Sequence, residues 1–499
     1  MVARLWSVST PDRMPFHPRQ LPSGILSLTL AVVSWMLALC AGAAAVTGQD
    51  RPAPDPEAGR AAYLQHCARC HGAAGQGDGL DAKRFYPRPR DLTLGVYKFR
   101  STASGTPPTD EDLFRTITQG LPGTNMPDWK HLNDATRWRL VDYLKSLAPT
   151  FADTEPSPVT LERDPGPQRA DLAKGKAVYE QLGCAACHGA AGRANGTSAA
   201  GLVDDWGLPI RPADLTHGWA YRGGQQPQDI LMRLWTGIDG AGMPSYAEAV
   251  SPSDAWQLAY YVASLQEPPH WNLIAHALVV AGDLPTAADD PRWASAERTD
   301  VRVRNVVTPE GEWRHPPTVR AVSFKAIAND EAVALLISWH DPTQDAQAPA
   351  DRLALVLKPA GLAGDVVSLQ AWPSRGAPPL DLCHWSAATG QAREQVVPAF
   401  ERLEPASGAP LASRATYDDG AWQLVVQRPL EQAQVGEAGA IAKDGLTAIA
   451  FAVWDGGNPE ARAVSPWVDL SIRRRGRDTS IFPQSIDLPA GRQENRTVP

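Results

Sequence analysis

Apolar positions along the chain change rhythm twice, and each rhythm predicts a different kind of element. Residues Ile25 to Val46 form a near-continuous apolar run, preceded by Arg4, Arg13 and Arg19 and closing in Ala41, Gly42, Ala43, Ala44 and Ala45. A basic start, an apolar middle and a small-residue end predict a secretory signal peptide cut near Ala45. The run is also long enough to persist as a single membrane anchor, since a spanning helix takes about 20 apolar residues. Further on, Trp138, Val141, Leu144 and Leu147 recur at helical spacing, and Trp256, Ala259, Val262 and Leu265 do the same. Ser251-Pro252-Ser253-Asp254 supplies the second of these helices with a capping hydroxyl, a first-turn proline and an early acid.

Beyond about Asp300 the helical spacing gives way to short β-rich runs. Val301-Arg302-Val303-Arg304 alternates, and Ala332–Trp339, Leu353–Leu357, Trp422–Gln427 and Leu446–Trp454 are rich in strand-forming residues. Asp341-Pro342, Asp418-Asp419-Gly420 and Asp455-Gly456-Gly457 mark turns between them. Several short strands at such intervals predict an all-β sandwich. Pro-rich links at Glu155-Pro156-Ser157-Pro158 and Glu267-Pro268-Pro269 separate the parts. The expected organisation is multidomain, with two all-α domains followed by an all-β sandwich. Residues 1–46 form the signal or anchor, 50–150 and 165–268 the two helical domains, 285–480 the sandwich, and 481–499 a tail.

Composition narrows the class. The 499 residues are 43% hydrophobic and 20% charged, which fits globular domains and excludes a collagenous or largely disordered chain. A net charge of −8 argues against a nucleic-acid partner, because phosphate binding needs clustered cations.

The chemistry lies in the cysteines. Cys67-Ala-Arg-Cys70-His71 and Cys184-Ala-Ala-Cys187-His188 are both C-x-x-C-H, each followed by Gly-Ala-Ala-Gly. This spacing predicts covalent haem c attachment: two thiols one turn apart add to the haem vinyl groups, and the next residue offers an imidazole to the iron. The motifs sit in an internal repeat. Gly59 and Tyr63 precede the first and Gly175 and Tyr179 the second; Arg88-Pro89-Arg90-Asp91-Leu92-Thr93 follows one and Arg211-Pro212-Ala213-Asp214-Leu215-Thr216 the other. Each copy then reaches a Met-Pro pair, Met126-Pro127 and Met243-Pro244, at the same interval from its His. Met126 and Met243 are therefore the expected sixth iron ligands, giving the His/Met pairing that raises haem potential. His131 and His217 are rival ligands whose positions do not correspond between the copies.

These residues resemble the small mono-haem cytochrome c fold, present twice, over about residues 55–148 and 170–266. The resemblance implies a crossing of N- and C-terminal helices at a glycine and an aromatic. Gly59, Tyr63 and Trp138 suit those roles in the first copy, and Gly175, Tyr179 and Trp256 in the second. It also implies that a proline carbonyl, from Pro89 or Pro212, receives the ligand histidine's ring N–H.

The C-terminal third resembles the haem-b-binding domain of the ethylbenzene dehydrogenase γ-subunit over about residues 285–475. The matching segments are Ile337-Ser338-Trp339-His340-Asp341-Pro342-Thr343, Asp351-Arg352-Leu353-Ala354-Leu355, Tyr417-Asp418-Asp419-Gly420-Ala421-Trp422 and Phe451-Ala452-Val453-Trp454-Asp455-Gly456. The resemblance implies an electron-transfer subunit of a molybdopterin enzyme of the dimethyl sulfoxide reductase family, holding haem b between a Met and a Lys. Here the chain departs from the pattern. No Met follows Met243, and Arg462 stands where the lysine is expected, ahead of Val464-Ser465-Pro466-Trp467. Lys325, Lys358, Lys443, His340, His384 and Cys383 are the remaining candidates for haem b ligation. The expectation is a sandwich without haem b that serves as a docking surface.

The combined expectation is an exported, periplasmic di-haem c-type cytochrome, soluble or tethered once. It exchanges electrons with a redox protein, either a molybdopterin/iron–sulfur oxidoreductase or another cytochrome, and catalyses no reaction itself. A di-haem peroxidase-like enzyme is the alternative, and would need a vacant iron position. A sandwich that acts as a ligand-binding module is the third reading.

Overall fold

The structure, a computed structural model, describes residues 51–307, 316–359, 378–430, 441–458 and 461–473. The expected signal or anchor and the expected tail at 481–499 lie outside the described residues. Among the described residues no helix is long and apolar enough to cross a membrane.

The first helical part comprises α1 (Pro56–His66), α2 (Ala68–His71), α3 (Asp110–Gln119), α4 (Asp134–Leu147) and α5 (Thr150–Asp153). The second comprises α6 (Leu172–Gln181), α7 (Ala185–His188), α8 (Pro227–Thr236) and α9 (Pro252–Ser264). Local sequence sets the helix starts. Asp55, Thr109, Asn133, Asp171 and Ser251 each accept a hydrogen bond from a first-turn N–H, satisfying donors that the helix itself leaves free.

In each part the first and last long helices cross at a glycine. A Cβ on Gly59 would overlap the carbonyl oxygen of Arg139, and one on Gly175 would overlap that of Gln257. Only hydrogen at this position lets the two backbones approach. The aromatic at the crossing is a tyrosine, not the expected tryptophan: Tyr63 meets Tyr143 at 5.0 Å between ring centroids, and Tyr179 meets Tyr261 at 5.5 Å. Trp138 lies one turn earlier in α4 and stacks on Phe114 of α3 at 4.2 Å, whereas Trp256 packs beside Tyr260 of its own helix.

The C-terminal region is β-rich. Its strands are β1 (Ile274–His276), β2 (Leu278–Val279), β3 (Thr299–Arg302), β4 (Arg304–Val307), β5 (Ala321–Ala328), β6 (Ala332–His340), β7 (Arg352–Leu357) and β8 (Leu380–Ser386). They continue with β9 (Gln391–Val397), β10 (Ala409–Leu411), β11 (Ser413–Asp418), β12 (Ala421–Pro429), β13 (Gly445–Trp454), β14 (Ala461–Val464) and β15 (Val468–Ile472). One sheet runs β1-β15-β13-β7-β8-β9-β10, with β14 joining β13 to β4. The other runs β11-β12-β6-β5-β2, with β3 also on β5. Both are mixed: β1 pairs β15 and β2 pairs β5 in parallel, and the other pairs are antiparallel.

Side chains from both sheets share one apolar core. Phe324, Leu335, Ile337, Trp339 and Leu424 come from one sheet, and Leu353, Leu355, Cys383, Trp385 and Phe451 from the other. The outer faces are covered too. Ala354, Val356, Leu382 and Trp454 pack under Phe400, while Ile327, Ala334 and Leu336 pack under Trp293. Burial on both faces explains why these strands read as continuous apolar runs rather than clean alternations.

Candidate functional site

Each C-x-x-C-H motif occupies a short helix just after a long one: only Cys67 separates the two helices in the first copy, whereas a turn through Leu182, Gly183 (φ 72°) and Cys184 separates them in the second. Cys67 N–H donates to the carbonyl of Tyr63 (2.8 Å), and Cys184 N–H to that of Tyr179 (3.1 Å). His71 and Cys70 then form the turn of α2, and His188 and Cys187 that of α7. Tyr63 and Tyr179 pin these turns from below. Their hydroxyls donate to the carbonyls of Gly72 and Gly189, both at 2.7 Å. All four motif cysteines are free thiols and half-buried.

Both histidines are oriented by a backbone carbonyl. His71 Nδ1 lies 3.0 Å from the carbonyl oxygen of Arg90, and His188 Nδ1 lies 2.8 Å from that of Ala213. The expected acceptors, Pro89 and Pro212, are each one residue too early. The offset is the same in both copies, so it belongs to the geometry of the shared turn: proline fixes φ, and the peptide after it faces the ring. Burial lowers the pKa of both imidazoles, partly opposed by these hydrogen bonds. A neutral imidazole that donates from Nδ1 keeps its Nε2 lone pair for a metal, which is what iron ligation requires.

Met126 and Met243 lie on equivalent loops. Helices α3 and α8 end at Gly120 and Gly237, both with φ of 64°. A side chain there would be strained and would meet the backbone of Pro127 or Ser245. Leu121 N–H then donates to the carbonyl of Met126 (3.1 Å), and Ile238 N–H to that of Met243 (3.0 Å). Met243 packs against the apolar core of the second helical part, as Cys184 and Tyr246 also do.

In the second part, Cys184, Cys187, His188 and Met243 all line one cavity of about 550 Å³. That volume falls within the range of about 300–1,000 Å³ usual for cofactor and ligand sites. The cavity wall is not local. Tyr86, Arg88, Arg90 and Lys98 come from the first helical part, and Arg320 from the β-rich region. Burial depresses Lys98 to about 8, and Arg90 and Arg222 to about 10. Burial lowers Arg320 as well. Grouped buried cations with depressed pKa values form a seat for an anion. A haem brings two carboxylates, so cavity size, donor set and cationic wall fit that group.

Sequence reasoning did not find this cationic wall. Arg88 and Arg90 sit in the repeat motif, but Lys98 and Arg320 carry no local signal. Of the two rival histidines, His217 lines this same cavity. His131 is exposed and lies against Trp129. His217 stacks on His340 at 4.6 Å, and both face Asp214, with Nδ1–Oδ2 distances of 3.2 and 2.7 Å. Of the haem b candidates, Lys325 donates to the Trp293 carbonyl (2.7 Å) and His340 faces Asp214. Cys383 is buried in the inter-sheet core and its thiol is pushed up to about 12. His384 points to the opposite face against Trp454, where burial lowers it to about 4. Lys358 and Lys443 are half-buried, and the Arg462 guanidinium lies 4.8 Å above the Phe400 ring.

Comparison with known proteins follows the same division. Residues 54–144 match the family described as cytochrome c oxidase, cbb3-type, subunit III, and residues 172–266 match the cytochrome c family. The chain is 31% identical over 220 residues to the cbb3-type cytochrome c oxidase subunit CcoP of Azospirillum sp. (strain B510). It is 29% identical over 216 residues to the CcoP of Azospirillum brasilense. Each match covers 42% of this chain and 61% of the relative, so the chain spans less than two thirds of either. Among solved structures, a chain of the reducing HAO-like protein complex of Kuenenia stuttgartiensis is 42% identical, with a TM-score of 0.42. That match covers 44% of this chain and 100% of the other. The helical half of the chain thus contains two cytochrome c-type domains, the kind of domain that carries covalent haem c.

Proposed function

We propose that this chain is an exported di-haem c-type cytochrome that relays electrons between redox proteins. The observation that carries this reading is the duplicated site: two C-x-x-C-H turns, each with its histidine ring held by a backbone carbonyl and each followed by an equivalent Met-Pro loop. Haem c, bound through Cys67 and Cys70 and through Cys184 and Cys187, supplies reversible one-electron chemistry at iron. His71 and His188 are the axial nitrogen ligands in this reading, and Met126 and Met243 the axial sulfurs. Filling both axial positions leaves none for a substrate, which favours a carrier over a peroxidase-like enzyme.

Two features suit the chain to passing an electron from one site to the other. The segment whose Arg90 carbonyl holds His71 also lines the cavity around His188. The two domains are also locked together by buried polar contacts. Arg100, with no exposed surface, donates to the carbonyl of Thr236 (2.9 Å) and pairs with Asp239 (2.6 Å). Such contacts fix the separation between sites, on which electron transfer depends.

The domain boundaries proposed are 50–150, 165–268 and a β-rich remainder ending near 480. Pairing of β1 with β15 brings Ile274 into that remainder. In this reading the remainder is a β-sandwich without haem b that docks the partner. The partner is a redox protein of the periplasm, and resemblance to the ethylbenzene dehydrogenase γ-subunit nominates a molybdopterin oxidoreductase.

A pyridine haemochrome assay on the matured chain tests the cofactor content. Two haem c and no haem b per chain are expected. A third, extractable haem would assign haem b to the β-rich region. In oxidised protein, loss of a methionine–iron absorption band in Met126→Ala and in Met243→Ala is expected. Retention of that band in the double variant would sink the assigned ligation.

A further inference from the structure

The β-rich region holds a group of carboxylates that its fold does not neutralise. Asp341 follows β6, Asp351 precedes β7, and Asp455 follows β13. Asp341 and Asp351 have no exposed surface and Asp455 has 5%. One carboxylate oxygen of each lies within 4.8 Å of the others.

The hydrogen bonds these groups accept come from neutral donors. Asp351 accepts from Gly456 N–H (2.8 Å), Asp345 N–H (2.8 Å) and the Trp422 indole (3.0 Å). Asp455 accepts from Gly457 N–H (2.7 Å) and the Thr318 hydroxyl (2.5 Å). Asp341 Oδ1 accepts from Thr343 N–H (3.2 Å), but its Oδ2 is buried without a partner. No described Lys, Arg or His pairs with any of the three. Burial, with repulsion from Asp455 and Asp351, pushes the Asp341 carboxyl well above the usual range. Uncompensated buried charges of one sign are expensive, and a hard cation removes the expense while using the orphaned oxygen.

The loop geometry selects among cations. Asp341, Thr343 and Asp345 offer oxygens at alternate positions, and the Thr343 hydroxyl bridges Asp341 and Asp345 (3.4 and 2.7 Å). An all-oxygen set with several carboxylates, covered by a largely exposed loop at 344–349, suits calcium. Magnesium instead keeps most of its own water and demands a near-octahedral shell.

We propose that Asp341, Asp351 and Asp455, assisted by Asp345, form a calcium site that clamps the ends of β6, β7 and β13. The clamp sits beside the contact with the second cytochrome domain. His340, the preceding residue, faces Asp214 at 2.7 Å. Asp341 N–H donates to Gly420 (2.9 Å), and neighbouring Asp419 receives Arg193 (3.1 Å) and Asn195 (2.9 Å). Calcium would thus hold in place the loops on which that domain rests.

The test uses the full-length haem-loaded protein, dialysed against calcium or against EGTA. Metal analysis is expected to find one calcium per chain after dialysis in calcium. Thermal unfolding is expected to shift upward by about 5 °C when calcium exceeds its Kd a hundredfold, with no comparable shift from magnesium. Asp341→Asn, which keeps the shape and removes the charge, is expected to match the EGTA-treated protein in both conditions. Wild-type protein that holds no calcium and unfolds identically in calcium and EGTA would overturn the proposal, whatever the fate of the variant. A calcium response that survives intact in Asp341→Asn would overturn it equally, by placing the ion elsewhere.

Discussion

At Asp91 the carboxylate caps its own turn, accepting from Thr93 N–H at 2.9 Å and from the Thr93 hydroxyl at 2.6 Å. At Asp214 the same turn recurs through Thr216 at the same two distances. There, however, the second carboxylate oxygen also receives His340 from the β-rich region and lies beside His217. Where the second domain has His217 the first has Leu94. The comparison separates two layers of the molecule. The cytochrome c-type scaffold is written locally and occurs twice. What surrounds the second site comes from distant segments and has no counterpart in the repeat.

The strongest way to break this comparison is to remove one attachment site at a time. Cys67→Ser/Cys70→Ser and Cys184→Ser/Cys187→Ser should each leave about half of the covalent haem, by stained gel and pyridine haemochrome. If either double variant lost both haems, the scaffolds would not be independent. Next in size is the helix crossing. Gly59→Ala and Gly175→Ala should each destabilise by about 3 kcal/mol, the upper part of the range for overpacking, because the intruding methyl meets a backbone carbonyl. Denaturant unfolding followed at the haem band would check this, and a mild effect in only one copy would show that the crossings differ.

The surroundings should differ in their response to pH. Burial lowers His217 to about 4, outweighing the attraction of Asp214. The unfolded chain therefore binds this proton first, near pH 6.5, and the folded protein loses stability as pH falls from about 6.5 towards 4. About 2 kcal/mol should disappear between pH 7 and pH 5 from this group. His217→Leu, which installs the first domain's residue, should flatten that slope. An unchanged slope would place the pH sensitivity elsewhere. The smallest effect expected is that of Tyr63→Phe and Tyr179→Phe, about 1 kcal/mol each for a buried hydrogen bond to a glycine carbonyl. Unequal losses would mean that one of these bonds is replaced by water.

The sequence was most legible where the determinants are close together. Helices α4 and α9 follow from apolar spacing, and the start of α9 from Ser251, while the Asn133 cap of α4 was not among the features expected. The C-x-x-C-H turns and the Met-Pro loops are equally local. Errors of one to five positions arose where side-chain type stood in for backbone direction. The acceptors of His71 and His188 are Arg90 and Ala213 rather than the prolines before them. Likewise, the crossing aromatics are Tyr143 and Tyr261 rather than the tryptophans earlier in the same helices. Strands β8 and β9 were not among the runs expected, because Asp381, His384, Arg393 and Glu394 interrupt their apolar pattern. Long-range groupings left no trace at all. Asp341, Asp351 and Asp455 are joined only by the pairing of β6, β7 and β13 with their neighbours, and Arg320 reaches its cavity from a different domain.

That composite cavity limits how the protein can be taken apart. A c-type domain is ordinarily a portable module, which can be excised, fused or exchanged because its own chain encloses its cofactor. The first domain here lends Tyr86, Arg90 and Lys98 to the second, and the β-rich region lends Arg320. A fragment cut at residues 165 and 268 would keep Cys184, Cys187, His188 and Met243 yet lose part of the wall of the cavity they line, opening it to water. The two helical domains thus repeat one scaffold without being interchangeable as building blocks.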